Sequence, residues 1–442
     1  MRCNFEICDL TFEIFFMINA SLIALGKTIS KISQSFNRGN GSTWPGHIAL
    51  RGNKNFIKDI LSKSNTKIII VAGTNGKTTT SGLIRIGLEE NGKKVLQNES
   101  GANLLNGIAS TILLNTSLQG KITKEFAIFE VDENALPLIL NQITPDYLVL
   151  LNLFRDQLDR YGEINTIAQK WHNAINKLPE KTKLILNADD PQIAYIGMQT
   201  KLQSLYFSLE GKQEAKSQHA ADSVSCPKCG NKLIFANITF SHLGKWKCDT
   251  CGLQRPNPTL THFDSYPLTG TYNKYNTHAA VLALMNLGID ATLIKSSFEN
   301  FKPAFGRQET IIYQEKNVQL FLSKNPTSFN QSYQTIRDLN ATTLLIILND
   351  RIPDGRDVSW IWDTDLAEIQ KFKRILISGD RVYDMALRIK YEGYKQFETF
   401  ERLQEAIASG IKYIQPNETL YILPTYSAML DTRKILTGKK IL

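Results

Sequence analysis

Short runs of apolar residues, many of them β-branched, recur through the first half of the chain, and each run ends in a polar loop. They lie in KIIIV (67–71), KEFAIFEVDENAL (124–136), PDYLVLLNLFRDQLDRYGE (145–163) and KTKLILNADDP (181–191). Segments between them, such as TIAQKWHNAINKL, have apolar residues at helical spacing. Strands that alternate with helices predict a parallel α/β sheet, whose ligands bind beyond the carboxyl ends of the strands.

The same alternation returns in the last third of the chain. Strand-like runs VQLFLS, TTLLIIL, FKRILISG and TLYILP alternate there with helical patterns such as FNQSYQTIRDL and DMALRIKYEG. The sequence therefore predicts three parts: an N-terminal extension with an amphipathic helix (1–50), a central α/β domain (51–306) and a second α/β domain (307–442). Residues 37–50, which are rich in Gly and Asn, are predicted to be a loop leading into the central domain.

The first apolar run leads directly into GTNGKTTT (73–80) and then into a helical pattern. A strand, a glycine turn and a helix N-terminus in this order form a cradle for phosphate groups. Lys77 would reach the terminal phosphates and act in catalysis, and the Thr78 hydroxyl would contact Mg²⁺. The strict P-loop pattern asks for Gly where Val71 stands, so the match is imperfect, and an ordinary glycine turn is the alternative. The predicted nucleotide-binding residues of the cradle are Gly73, Thr74, Asn75, Gly76, Lys77, Thr78 and Thr79.

An acidic residue ends the strand after the cradle. A carboxylate at the end of a strand that neighbours a phosphate cradle is the expected second holder of Mg²⁺. Glu130 suits this role and Asp132 is the alternative. A carboxylate that merely caps the loop is the simpler interpretation.

Four of the six cysteines form two C-x-x-C pairs, Cys226 with Cys229 and Cys248 with Cys251. Two such pairs place four thiolates around Zn²⁺, so a structural zinc ribbon is predicted within an insert at about 222–258. This cysteine usage indicates metal binding in a reducing compartment and excludes a disulfide framework. A ribbon can also bind nucleic acid. The other two cysteines, Cys3 and Cys8, lack the sequence context of a catalytic nucleophile.

The chain has 51 Lys and Arg against 42 Asp and Glu, a net charge of +9. This excess suggests an acidic partner, but it is dispersed, and we expect no nucleic-acid partner. The apolar N-terminus carries Glu6, Asp9 and Glu13, which argues against a secretory signal or a spanning helix and predicts a cytoplasmic protein. Met17 is an alternative start. An amphipathic helix at about 18–36 with Lys27 and Lys31 could rest on a membrane surface.

Several motifs taken together resemble the Mur ligase superfamily, which includes the folylpolyglutamate synthetases. They are GTNGKTTT at 73–80, NADDP at 187–191, YNKYN at 272–276 and FGRQE at 305–309. The resemblance implies a P-loop central domain followed by a Rossmann-like C-terminal domain. It also implies ATP-driven formation of an acyl phosphate that an amine then attacks. It adds to the predicted nucleotide-binding residues Asn187, Asn273, Asn276 and Arg307.

A closer resemblance is to one branch of that superfamily, the MurT family. It rests on NESGANLLNGIAST (98–111), FRDQLDRYGE (154–163), the inserted ribbon and LNDRIPDGRDVSWIWD (348–363). In that family the D-glutamate α-carboxylate of lipid II is amidated with ammonia from a separate glutaminase subunit, GatD. The resemblance thus implies ATP, Mg²⁺ and Zn²⁺ as cofactors, a GatD-like partner in a heterodimer, and lipid II as substrate.

The resemblance also implies individual roles. Ser100 corresponds to a hydroxyl that faces the metal. An aspartate of the C-terminal domain would complete the Cys–His pair of the partner, with Asp357 favoured over Asp354, although P-D-G is also a turn signature. Gln157 replaces a His that many Mur ligases carry. Lys170 is a candidate for a carbamylated lysine.

The sequence supports a division of labour on its own, because no cysteine is in a suitable context for glutamine hydrolysis. A partner or free ammonia must supply the nitrogen. Two alternatives stay open: an amino-acid ligase of the folylpolyglutamate or muramyl type, and a nucleic-acid-binding ATPase that uses the ribbon. Trp360 and Trp362 would serve either as interface anchors or as core residues.

Overall fold

The computed structural model describes residues 17–32, 43–98, 101–155, 164–210 and 222–439. Two six-stranded α/β sheets form its two main parts, which confirms the predicted fold class. The first sheet is parallel throughout and has the strand order β2-β3-β1-β4-β5-β6. Its strands are β1 Lys67–Ala72, β2 Val95–Gln97, β3 Phe126–Val131, β4 Tyr147–Leu150, β5 Lys183–Asn187 and β6 Gln203–Phe207.

Helices cover both faces of this first sheet and bury its apolar strands in two hydrophobic clusters. The strands read as continuous apolar runs because both of their faces are covered. The helices are α1 at 17–32, α2 Trp44–Gly52, α3 Phe56–Leu61, α4 Lys77–Glu89, α5 Leu105–Leu114, α6 Leu136–Leu140, α7 Ile164–Ile175, α8 Pro191–Met198, α9 Thr271–Asn286 and α10 Ala291–Glu299.

A two-stranded antiparallel hairpin, β7 Ile234–Phe240 and β8 Leu243–Lys247, stands outside the two sheets. It is attached to the carboxyl end of β5 through NADDP. Asp189 accepts hydrogen bonds from Arg255 (2.5 Å) and Tyr275 (2.6 Å), and the indole of Trp246 donates to the carbonyl oxygen of Ala188 (3.0 Å). The contact of Trp246 joins the hairpin to the first sheet, and the partners of Asp189 compensate its buried charge beside it.

The second sheet has the order β13-β12-β11-β14-β10-β9 and is parallel except for β9, which pairs antiparallel with β10. Its strands are β9 Arg307–Tyr313, β10 Lys316–Phe321, β11 Thr343–Ile347, β12 Arg374–Ser378, β13 Phe397–Phe400 and β14 Thr419–Pro424. Its helices are α11 Pro326–Asp338, α12 Val382–Tyr391, α13 Leu403–Tyr413 and α14 Tyr426–Thr437, with short 3-10 turns at Ser359–Asp363 and Ile369–Lys371. Parallel strands joined by helices give this part its Rossmann-like form.

The predicted loop at 37–50 is wrong in its second half, because helix α2 begins at Trp44. Pro45 is compatible with the first turn of a helix, where its missing N–H is not needed. Among the described residues, none of the helices combines the length and apolar composition needed to cross a bilayer.

Helix α2 packs closely on α5 at Gly46. Its N–H donates to Ser110 Oγ (2.7 Å), and a Cβ there would collide with the carbonyl oxygen of Asn106. Because backbone cannot move away easily, Gly46→Ala should lower the free energy of unfolding by about 2–3 kcal/mol. The control is Gly92→Ala, where a Cβ meets open space and only the positive φ opposes the change, at about 1 kcal/mol. Equal losses in a denaturant titration of both variants would contradict this packing.

Candidate active site

The glycine turn after β1 adopts backbone conformations that favour glycine at two positions. Gly73 has a φ of 146° and Gly76 a φ of 93°. A Cβ on Gly76 would also collide with Oδ1 of Asn276, so the loop and helix α9 approach as closely as glycine permits. Helix α4 begins at Lys77, which directs its first backbone N–H groups towards the loop. This arrangement suits an anion such as a phosphate group.

Lys77 is buried and lies folded over the loop. Its ammonium group donates to the carbonyl oxygens of Gly73 (2.5 Å) and Thr74 (3.2 Å) and forms an ion pair with Oε2 of Glu133 (3.1 Å). Burial acts to raise the pKa of Glu133, but the ammonium groups of Lys77 and Lys324 outweigh it and hold that pKa below its usual value. Glu133 is therefore ionised at neutral pH.

The two residues predicted to hold Mg²⁺ lie in direct contact, since Thr78 donates its hydroxyl to Oε2 of Glu130 (2.8 Å). Asn98 fixes the backbone of Glu130 from both sides, accepting from its N–H (2.8 Å) and donating to its carbonyl oxygen (2.9 Å). A hydroxyl beside a carboxylate next to a phosphate cradle is the oxygen donor set that Mg²⁺ prefers, so these residues fit the ion.

The alternative magnesium holder, Asp132, lies in a turn, where its carboxylate accepts the N–H of Asn134 (3.1 Å). Burial and then the charge of Glu133 raise its pKa. Ser100 and Gln157 lie outside the described residues. Lys170 is exposed on α7.

A cleft of about 660 Å³ opens beside the cradle, between the two main parts of the molecule. Three of the four nucleotide-binding residues added by resemblance line it: Asn273, Asn276 and Arg307. Burial lowers the pKa of Arg307, and the nearby charge of Glu130 opposes this effect. Apolar and aromatic side chains, among them Phe154, Phe240, Leu268 and Phe321, line the cleft together with further polar side chains.

Asn187 is placed differently from the other three. It is fully buried, and its amide donates to the carbonyl oxygen of Leu151 (2.9 Å) and accepts the N–H of Asp189 (3.0 Å). It therefore joins β5 to the end of β4 and orders the NADDP turn. The structure assigns it no contact with the cleft.

The sequence analysis missed several residues that the fold brings to the cradle. Asn152 at the end of β4 accepts the N–H of Asn75 (2.9 Å) and donates to its carbonyl oxygen (3.0 Å), and so fixes the loop. Glu133 pairs with Lys77. Asn325, which precedes α11, donates to Oδ1 of Asn75 across the cleft (3.4 Å). The third acidic residue in EVDEN, the asparagine within LNL and the asparagine in LFLSKN were the available signals.

The four cysteines of the two C-x-x-C pairs converge, and their sulfur atoms all lie within 4.8 Å of one another. Sγ of Cys226 is 3.6 Å from that of Cys251, and Sγ of Cys229 is 3.5 Å from that of Cys248. Four thiolates at tetrahedral spacing around bonds of about 2.3 Å would be separated by similar distances, so the cluster fits a structural Zn²⁺. Both pairs lie at turns beside the hairpin β7–β8.

The segment 348–363 follows β11 at the carboxyl edge of the second sheet. Asp354 is only 4% exposed and accepts both the N–H (2.8 Å) and the hydroxyl (2.5 Å) of Ser427 at the start of α14. Asp357 is exposed, and one of its oxygens accepts the N–H of Ser359 (2.8 Å). Hydrogen bonding by Ser359, through its side chain and then its N–H, lowers the pKa of Asp357, so this carboxylate is ionised.

The two tryptophans of this segment differ in surroundings. The ring of Trp360 packs edge-on against Phe329 of α11, in the hydrophobic cluster of the second sheet. Trp362 is 49% exposed and packs against Tyr391 at the end of α12. They therefore do not present a common face to solvent.

Comparisons with known proteins show which families this chain resembles. The family model described as Mur ligase middle domain matches residues 71–284, and the one described as MurT ligase C-terminal matches residues 322–429. The chain is 35% identical to the MurT subunit of the glutamine-hydrolysing lipid II isoglutaminyl synthase of Streptococcus pneumoniae, over 91% of this chain and 94% of that protein. It is 32% identical to the subunit of the same name from Staphylococcus aureus, over 83% and 86%.

Solved structures share the architecture at lower identity. A pseudomurein peptide ligase type C from Methanothermus fervidus has a TM-score of 0.65 at 23% identity, covering 86% of this chain and 81% of that one. MurF from Acinetobacter baumannii has a TM-score of 0.61 at 18% identity, covering 90% and 80%. These likenesses describe the fold.

A phosphate cradle on a parallel sheet, closed by a second α/β part across a cleft, defines a Mur ligase fold, and the chain is an ATP-dependent ligase of that class. Within the class it belongs to the MurT family, because the similarity to curated members of that family extends over nearly the whole chain.

The cysteine cluster gives a testable expectation. Cys226→Ser should lose bound zinc and lower the thermal unfolding midpoint, because the energy of metal binding at such a site is folding energy. Zinc content by atomic emission and unfolding by circular dichroism measure both effects. Cys8→Ser, which leaves all four cluster residues intact, is the matched control. Full zinc content in the Cys226 variant would contradict the assignment.

Proposed function

We propose that the chain amidates the D-glutamate α-carboxylate of the lipid II stem peptide to D-isoglutamine, using ATP. The observation that carries the proposal is the pairing of the cradle beside Glu130 with an exposed, ionised Asp357 at the edge of the second sheet. The first feature suits activation of a carboxylate by ATP, and the second suits cooperation with another protein. The names of the relatives, which specify glutamine hydrolysis and a subunit, support the same interpretation.

In the first step, a carboxylate oxygen of the substrate attacks the γ-phosphorus of ATP, the bond to the bridging oxygen breaks, and ADP leaves. The charge on the transferred phosphoryl group needs cations and N–H donors that are already in place. Lys77, the N-terminus of α4 and Arg307 supply them in this chain. Mg²⁺ would be held by Thr78 and Glu130 and would neutralise charge on the phosphates.

In the second step, ammonia attacks the carbonyl carbon of the acyl phosphate, inorganic phosphate leaves, and the nitrogen loses a proton to give the amide. Ammonia must enter a cleft whose walls are largely apolar, and these walls protect the acyl phosphate from water. The partly buried aromatic and aliphatic side chains around the cradle serve this purpose.

The ammonia would come from a GatD-like glutaminase subunit in a heterodimer. An aspartate that orients a catalytic His must present a free carboxylate oxygen to it. Asp357 is exposed and has such an oxygen available, whereas both oxygens of Asp354 accept from Ser427 within the fold. These contacts favour Asp357 as the residue that completes the partner's triad.

A lipid-linked substrate would bring the enzyme to the cytoplasmic surface of the membrane, where ATP is also present. Ile18, Leu25 and Ile32 are exposed and recur at seven-residue intervals, so they lie along one side of α1. An apolar stripe of this kind is compatible with contact at a membrane surface.

Lys77→Ala should lower the rate of amidation by at least about 100-fold, because a positioned cation at the transferred phosphoryl group is lost. The assay follows lipid II by mass spectrometry, with ATP, the partner and glutamine present. A product in which NH₂ has replaced OH indicates amidation, whereas added residue mass would indicate an amino-acid ligase. Lys201→Ala, an exposed lysine far along the chain, is the control. Undiminished activity of the Lys77 variant would exclude the cradle from the reaction.

Asp357→Asn should reduce glutamine-dependent amidation by about 10³-fold or more, because an amide cannot stabilise the protonated His of the partner. Amidation with added ammonium chloride should persist at the wild-type rate. Asp264→Asn changes an equally exposed aspartate and should alter neither rate. An equal loss with both nitrogen sources would place Asp357 in the ATP site or in the fold instead.

A further inference from the structure

Glu133 is a buried carboxylate with no role in the steps above. It is only 3% exposed, and its backbone carbonyl oxygen accepts the indole N–H of Trp171 (2.8 Å), which fixes its position after β3. Its side chain pairs with Lys77 at 3.1 Å. A buried charge that loses its only partner strongly destabilises the fold. The effect of Glu133 on stability therefore depends on the cation with which it pairs.

The ammonium group of Lys77 has three N–H donors. Three acceptors surround it: the carbonyl oxygens of Gly73 and Thr74 and the Oε2 atom of Glu133. A lysine bound in this way has no donor left for a phosphate oxygen. The β- and γ-phosphates of a nucleotide can therefore recruit Lys77 only by displacing at least one of these acceptors, and Glu133 is the anionic competitor among them.

A second lysine, Lys324, belongs to the other side of the cleft. Lys324 follows β10, directly before Asn325, which contacts the cradle through Asn75 (3.4 Å). Its ammonium group is close enough to lower the pKa of Glu133. The carboxylate of Glu133 is thus paired with Lys77 and lies within electrostatic range of Lys324.

We propose that Glu133 is a positioning residue that exchanges lysines: it holds Lys77 before a nucleotide binds, and it pairs with Lys324 once a triphosphate has taken Lys77. This inference rests on the proposed binding of ATP in the cradle. When Lys77 turns to the phosphates, the buried charge of Glu133 remains to be compensated, and Lys324 is the cation that the second part supplies. Nucleotide binding therefore strengthens the docking of the second part onto the first. By reciprocity, docking strengthens nucleotide binding.

Nucleotide affinity gives the first test, measured by calorimetry with a non-hydrolysable ATP analogue and Mg²⁺ on the full chain. Glu133→Gln removes the competitor for Lys77, a gain of about tenfold on the usual scale of a charged hydrogen bond, and this gain outweighs the several-fold loss of the pair with Lys324, so binding should tighten. Glu133→Asp keeps the charge and should bind more nearly like the wild type. Unchanged or weaker binding by Glu133→Gln, with a normal unfolding midpoint, would overturn the exchange. If Glu133→Gln has a lowered unfolding midpoint, Glu133→Asp is compared instead. Its affinity for the analogue must then lie between those of the wild type and Glu133→Gln.

The role of Lys324 is tested by a double-mutant cycle. Lys324→Gln should weaken binding of the analogue several-fold in the wild-type background and have no effect in the Glu133→Gln background. Equal weakening in both backgrounds would mean that Lys324 contacts the phosphates directly, and the exchange would be excluded.

Hydrogen exchange of the backbone in α11 reports docking. The analogue should slow this exchange in the wild type but not in Glu133→Gln or in Lys324→Gln; equal slowing in all three proteins would overturn the proposed coupling. A wild-type chain that binds no nucleotide at all would refute the proposed function, which separates that failure from failure of this inference.

Discussion

A parallel sheet delivers the carboxyl ends of all its strands to one edge, and the chemistry of this molecule depends on that constraint. The cradle follows β1, Glu130 and Glu133 lie at the end of β3, and Asn152 follows β4. Because β3 and β4 are the two neighbours of β1, these groups meet around Lys77 although they are far apart in the sequence. The topology of the sheet thus creates a compact cluster of charges from distant segments.

The second sheet is organised in the same way and faces the first across the cleft. Asn325 after β10 reaches Asn75, while Arg307 at the start of β9 lines the cleft near Glu130. The segment that carries Asp354 and Asp357 follows β11 at the carboxyl edge of the same sheet. One edge therefore serves both the nucleotide cleft and a separate surface that suits a protein partner. The two aspartates of this segment differ in role. Asp354 is buried and accepts hydrogen bonds at the start of α14, while Asp357 stays exposed.

Sequence patterns with a strict local meaning were interpreted reliably. The C-x-x-C pairs converge because their spacing is suited to one tetrahedral ion, and the glycine turn adopts the positive φ values that its glycines permit. The start of α2 was missed, since Gly and Asn before Trp44 suggested a longer loop than the chain forms. A family motif suggested that Asn187 binds the nucleotide, and this role stays a prediction; in the structure its side-chain amide orders the NADDP turn.

The order of strands and helices, the cradle and the four-cysteine cluster are determined by the sequence, because each depends on residues that are close together in the chain. The partners of Lys77 and Glu133, the burial of Asp354 against the exposure of Asp357, and the separate surroundings of Trp360 and Trp362 were decided by the tertiary structure alone. Each of these depends on which side chains meet across strands and across the cleft. The energy of a buried charge is set by those neighbours in space, and a linear pattern does not specify them.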